Sequence, residues 1–155
     1  FGQAARAFDS IRLDRSLGGE AIPAMLEDAR AALDRGARII IFPEGTRAVP
    51  GAPADYKSGY VALYEGLGVP AVPLALNSGL YWPRRSILRH PGTIIVEFLE
   101  PIPPGVARAE FRRRIESALE EGSTRLLVEA AEAPNPPPLP DAARERLNVV
   151  NKIRT

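Results

Sequence analysis

The sequence predicts an α/β fold, a layered sheet with flanking helices. An amphipathic stretch over residues 20–35 passes directly into the unbroken apolar run Ile39-Ile40-Ile41-Phe42. A helix followed by a strand apolar on both faces is half of a β-α-β unit, and it points to a parallel sheet. Two further apolar runs, residues 69–76 and 93–99, are interleaved with helical segments along the rest of the chain.

Each element has its own signal. Residues 8–13 mix apolar and polar side chains and fit a short strand running into Asp14-Arg15-Ser16. Ile22, Leu26, Ala29 and Leu33 then recur at the 3–4 spacing of one helical face. Glu20, Glu27 and Asp28 give the early part of this helix negative charge, favourable near an N-terminus, and Gly36 supplies a left-handed stop. The β-branched run 39–42 reads as a buried strand closed by Pro43. Residues 43–56, rich in Pro, Gly, Ala and Asp, form a long loop, and long loops in compact domains are commonly functional. A short helix over 59–66 ends at Gly66 or Gly68. In the run 69–76, Pro70 and Pro73 restrict pairing to strand starts, edges or bulges. The strand at 93–99 is closed by Pro101, Pro103 and Pro104. Residues 107–132 make the longest helix, with Phe111, Ile115, Leu119, Leu126 and Leu127 on one stripe. Gly122 weakens its middle by about 1 kcal/mol relative to alanine, which leaves both a continuous and a broken helix open. Its 108–121 segment carries four basic and four acidic residues and reads as a solvated face. Five of the sixteen prolines fall in 134–140, the composition of a stiff polyproline linker. The expected organisation is one α/β domain over residues 1–133 followed by a proline-rich tail, 134–155.

Composition narrows the function. With 155 residues, 45% hydrophobic and 25% charged, the chain has the make-up of one globular domain. Twenty basic against nineteen acidic residues leave a net charge of +1, which argues against a dedicated nucleic-acid binder. The absence of cysteine removes disulfides, thiolate metal sites and a cysteine nucleophile, and it suits a reducing compartment. One histidine, His90, excludes a multi-histidine metal site. No metal or bound cofactor is implied. No apolar stretch approaches the ~18–20 residues needed to cross a bilayer. The sequence opens on Phe1 rather than methionine, with no leader pattern, so it reads as processed or as a portion of something longer.

Ligands of open α/β sheets bind where strands end, which directs attention to Phe42-Pro43-Glu44-Gly45-Thr46-Arg47. Gly45 lets the backbone turn, Thr46 offers a hydroxyl, and Arg47 a planar fork of donors suited to phosphate. Glu44 can hold that fork or accept from a substrate hydroxyl, and Lys57 can return a second cation to the same mouth. By residue type alone, a simple Glu44–Arg47 surface pair worth about 0–1 kcal/mol stands equally beside this reading.

The hexapeptide resembles the signature of the glycerolipid acyltransferase family, which includes the 1-acyl-glycerol-3-phosphate acyltransferases. Val72-Pro73-Leu74-Ala75-Leu76-Asn77-Ser78 is similar to the family's later apolar block. Ile11-Arg12-Leu13-Asp14-Arg15 is similar to an earlier one, with Arg12 where an apolar residue is commoner. Tyr56-Lys57-Ser58-Gly59 and Pro91-Gly92-Thr93 also fit, so the resemblance runs from about residue 11 to 104. It implies a partial glycerol-phosphate acyltransferase-like fold. It also implies transfer of a fatty acyl group from acyl-CoA or acyl-ACP to lysophosphatidic acid, giving phosphatidic acid. Glu44, Gly45, Thr46 and Arg47 would then lie at the acceptor's glycerol-phosphate, with Arg15 and Lys57 as supporting cations.

The family's general base, a histidine followed after four residues by an aspartate, belongs upstream of the hexapeptide. Forty-one residues precede Phe42, and none is histidine. His90 has no aspartate in that register and reads as a surface residue of a basic loop, and neither Ser78 nor Ser86 shows a partnered base. No catalytic residue is therefore assigned. The chain reads as the carboxyl-terminal portion of a lysophosphatidate acyltransferase, truncated before the base and inactive by itself. A non-catalytic phospholipid-headgroup-binding module is the alternative. Arg84, Arg85 and Arg89 follow Tyr81-Trp82 with no acid before Gly92, which suits the surface of an anionic membrane as well as an ordinary exposed loop. The expected location is the cytoplasmic face of the cell membrane.

Overall fold

The computed structural model describes residues 22–154. The first helix, α1, spans Ile22–Asp34. Met25, Ala29 and Ala32 are its buried residues, with Ile22 and Leu26 half-buried against the same cluster, so the expected stripe faces the core and Met25 and Ala32 widen it. Gly36 ends it as expected, at φ +78°. Ala37 N–H reaches Ala32 O at 3.0 Å and Gly36 N–H reaches Leu33 O at 2.8 Å, the paired bonds of a Schellman stop. The second helix, α2, spans Gly59–Leu67 and closes on Gly68 at φ +65°. Met25 and Ala29 of α1 pack on Leu63 of α2.

The buried strand expected at 39–42 is not formed. Ile39 packs partly against α1, but Ile40 is 78% and Phe42 68% exposed. These residues join no sheet among the described residues. β-branched composition favours extended backbone, but a strand also needs a neighbour for its N–H and C=O groups.

The sheet that is present has two antiparallel strands, β1 (Leu74–Leu76) and β2 (Val96–Phe98), in place of the expected parallel arrangement. The register opposes Leu74 to Phe98, Ala75 to Glu97 and Leu76 to Val96. Flanking bonds lengthen the ribbon: Leu99 N–H to Pro73 O at 2.9 Å, and the Ala71–Ile102 bridge. Both apolar runs therefore pair with each other, broken where Pro73 lacks an N–H. A single turn of helix, α3 (Ser78–Tyr81), follows β1.

The long helix α4, Arg108–Glu132, is continuous through Gly122. No break occurs because Gly122 is where the sheet touches the helix. A Cβ there would lie 2.8 Å from that of Ala75 and 3.0 Å from Leu99 Cδ1. Its exposed face, solvated as expected, carries ion pairs of Arg113 and Arg114 on Glu110 and of Arg112 on Glu116. Tyr64 of α2 stacks on Phe111 of α4, ring centroids 3.6 Å apart. The Tyr64 hydroxyl donates to Pro103 O at 2.6 Å and accepts from Val106 N–H at 2.9 Å, so the buried phenol is satisfied.

The proline-rich stretch leads into a helix. In α5, Asp141–Arg154, Ala143 is fully buried with Leu80 and Tyr81 of α3 and Leu127 and Ala130 of α4. Among the described residues no helix is long and apolar enough to cross a membrane.

Candidate functional site

The hexapeptide forms a tight turn. Gly45 N–H bonds Phe42 O at 2.9 Å, and Gly45 takes φ +64°, in the left-handed region that disfavours a side chain. Thr46 and Arg47 are exposed, while Glu44 and Gly45 are half-buried. The Arg47 guanidinium faces water and makes no ion pair or hydrogen bond with another described residue. The expected alternative, a Glu44–Arg47 pair, is not formed. The Glu44 carboxylate instead accepts a long bond from Asp55 N–H, at 3.5 Å.

Lys57 does return to this turn. Its N–H bonds Pro43 O at 2.8 Å, closing the neck of the 43–58 loop. Its ammonium, exposed, pairs with Asp55. An exposed pair of this kind is worth about 0–1 kcal/mol, so a phosphate dianion can take the lysine from it. Glu44 and Lys57 are thus brought to one mouth, with Arg47 on the same turn as Glu44. Arg15 lies outside the described residues.

Two features hold the loop, and sequence reasoning found neither. At its exit, Tyr56 OH donates to Glu120 at 2.9 Å, and one turn on Tyr60 OH donates to Glu116 at 2.8 Å. Burial, then the hydrogen bonds and charges of these carboxylates, push both phenols well above their ordinary value. Neither tyrosine is an acid–base group near neutral pH. Arg146 of α5 reaches Glu120 from the other side, at 3.3 Å. At mid-loop, a Cβ on Gly51 would lie 2.5 Å from Ala143 Cα and 2.6 Å from the Ala142 carbonyl oxygen, so the loop backbone lies directly on α5. The signal was present as two pairs spaced by four, Tyr56/Tyr60 and Glu116/Glu120.

A groove of about 610 Å³ lies elsewhere, between α4 and α5. Four glutamates line it, Glu120, Glu121, Glu129 and Glu132, against Arg125 and Arg146. That excess of acid suits a phosphate poorly, whereas the turn at 44–47 presents a guanidinium unpaired among the described residues. His90 is held at the neck of a separate loop, its backbone N–H on Tyr81 O at 2.9 Å. Among the described residues no group of three His, Asp or Glu side chains could hold a metal.

The acyltransferase family profile matches residues 1–77 of the chain. Its curated relatives include the 1-acyl-sn-glycerol-3-phosphate acyltransferase of Pseudomonas aeruginosa, 38% identical over 96 residues, covering 62% of this chain and 37% of the relative. The enzyme of that name from Cocos nucifera is 35% identical over 103 residues, 66% of this chain and 33% of the relative. The alpha form from Mus musculus is 33% identical over 94 residues, 59% and 33%. The chain thus spans about a third of the length of these relatives. No solved structure matches.

Proposed function

We propose that this chain carries the acceptor-binding part of a lysophosphatidate acyltransferase, which moves a fatty acyl group from acyl-CoA or acyl-ACP to lysophosphatidic acid and forms phosphatidic acid. The observation that carries it is the Glu44–Arg47 turn, whose arginine is exposed and unpaired among the described residues. Arg47 binds the acceptor's phosphate bidentately and Lys57 adds charge, while Thr46 orients the glycerol. Glu44 accepts from a glycerol hydroxyl. Fixing the headgroup fixes which hydroxyl meets the thioester, and positioning of this kind supplies several kcal/mol of barrier reduction. Arg15 completes the cation set in this reading.

The glycerol-phosphate acyltransferase-like fold belongs to the same proposal. Exposed Ile40, Phe42, Val96 and Phe98 are apolar surface of the kind that a larger layered sheet covers. The site of action is the cytoplasmic face of the membrane, where the acceptor resides.

Titration of the full chain with lysophosphatidic acid, followed calorimetrically, tests the reading. Arg47→Ala is expected to weaken binding by about 10- to 150-fold, the worth of one charge-assisted hydrogen bond. Unchanged affinity would remove the turn from the site. Binding without turnover by the intact protein would make it a headgroup-binding module instead.

A further inference from the structure

Between Tyr81 and His90 the chain makes a short excursion, and its chemistry differs from the rest of the surface. The neck is closed by the His90 N–H to Tyr81 O bond, and Tyr81 is buried in the cluster shared by α3, α4 and α5. Gly92 fits against the Tyr81 ring so closely that a Cβ would meet Cε1 at 2.1 Å. The loop therefore hangs from a rigid base. It presents two consecutive large apolar residues to solvent, Ile87 at 94% and Leu88 at 63% exposed. Solitary exposed leucines need no explanation, but a paired apolar tip with a cationic rim marks an interaction surface.

That rim is Arg84, Arg85 and Arg89, with no acidic residue from Tyr81 to Gly92. The Arg89 guanidinium stacks on Trp82, 3.9 Å from the ring centroid, and bonds the carbonyls of Ser86 and Leu88. The stack keeps a half-exposed indole at the level of the charges. Arg85 takes φ +58°, which non-glycine residues rarely adopt. An apolar pair beside an indole and arginines at one level suits a bilayer surface, acyl chains taking the first and the interface with its anionic headgroups the others.

We infer that the 82–89 loop is a membrane-contact device, in which Ile87 and Leu88 enter an anionic bilayer while Arg84, Arg85 and Arg89 hold its headgroups. A protein partner would need acidic residues around an apolar socket, while an anionic bilayer offers both over any area. The inference stands on the loop's own chemistry and not on acyl transfer.

Trp82 is the sole tryptophan of the chain, so its emission reports this loop alone. The full chain is mixed with vesicles of equimolar phosphatidylcholine and phosphatidylglycerol, free of lysophosphatidic acid, and the tryptophan spectrum and the sedimented fraction are recorded. A blue shift with these vesicles, and little with pure phosphatidylcholine, is expected. Arg84→Gln with Arg85→Gln should lower partitioning roughly 25-fold, about fivefold per arginine. Ile87→Ser with Leu88→Ser should lower it by more than about tenfold. Circular dichroism matching the parent shows that both variants fold, and Ile153→Ser, another exposed apolar position, should leave partitioning unchanged. No shift with the parent chain overturns the inference, as does undiminished binding by the Ile87/Leu88 variant. A lipid-free shift that grows with protein concentration assigns the loop to self-association and overturns it too. Because the vesicles hold no acceptor, failure here leaves the acyl-transfer reading standing.

Discussion

Gly51→Ala tests whether the 43–58 loop is seated on α5, and the structure sets the size of the effect. Alanine at Gly51 is opposed twice. The residue has φ +83°, a conformation costing an L side chain about 1–2 kcal/mol. Its Cβ would also lie 2.5 Å from Ala143 Cα, 2.6 Å from Ala142 O and 2.7 Å from Ala143 N. All three are backbone atoms, which cannot rotate aside, and overpacking of this kind costs about 1–3 kcal/mol. The lower entropy of the unfolded alanine chain returns about 0.4–1 kcal/mol. The net loss is about 1–5 kcal/mol. Gly36→Ala isolates the first term, because Gly36 has a similar φ of +78° with nothing within 4 Å of its Cβ position. Urea unfolding of both variants, followed by circular dichroism, should show Gly51→Ala weaker than Gly36→Ala by about 1–3 kcal/mol. Headgroup affinity should fall in the first variant only. Equal losses of stability in the two would refute the seating of the loop on α5.

Gly122→Ala improves helix propensity by about 1 kcal/mol but drives a methyl to 2.8 Å from Ala75 Cβ, so urea melts should show no gain in stability, and Gly122→Val a clear loss. Tyr56 and Tyr60 have raised values in the folded chain against an ordinary 10.0, so the folded state holds their protons more tightly. Their contribution to stability is complete below pH 10 and declines above it. In the Tyr56→Phe/Tyr60→Phe variant, alkaline unfolding should lose that slope, measured by denaturant midpoint against pH. Glu110 is drawn down to about 2 by hydrogen bonds from Arg113 and Arg114, so its contribution, present above its ordinary 4.5, fades as pH falls toward 2, and Glu110→Gln should flatten acid titration of stability there. The chain alone should not turn over acyl-CoA with lysophosphatidic acid, since its one imidazole is at His90; measurable thiol release would contradict this.

What could be read from sequence was what is decided locally. Helices α1 and α4 follow from apolar spacing and the stop at Gly36 from the ease with which glycine turns left-handed, while for α2 the sequence left Gly66 and Gly68 open as stops. The turn at Glu44–Arg47 was legible for the same reason, since Gly45 bonds back only as far as Phe42. Strand pairing is not local. Ile39-Ile40-Ile41-Phe42 satisfies every compositional test of a buried strand and joins no sheet among the described residues, while β1 and β2 found each other across some twenty residues of chain. Gly122 misleads in isolation: its missing side chain looks like a weak point in a helix and is the space into which Ala75 fits. The helix α5 was hidden behind the prolines of 134–140, although Ala143, Leu147 and Val150 have helical spacing.

These nonlocal contacts bear on the candidate site more than on bulk stability. An arginine grips a phosphate best when the backbone carrying it is already ordered, because ordering a loop on binding subtracts from affinity. The 43–58 loop is longer than most connections and would be a poor platform if it were free. It is tied at the neck by Pro43 and Lys57, at mid-length by Gly51 on Ala143, and at its exit by Tyr56 on Glu120. Two of these ties end on α4 and α5, beyond residues 1–77 where the family profile matches. Arg146 sharpens the point, since it orders from α5 the same glutamate that receives Tyr56. The turn that carries the family signature is therefore held in shape by a part of the chain that carries none of it.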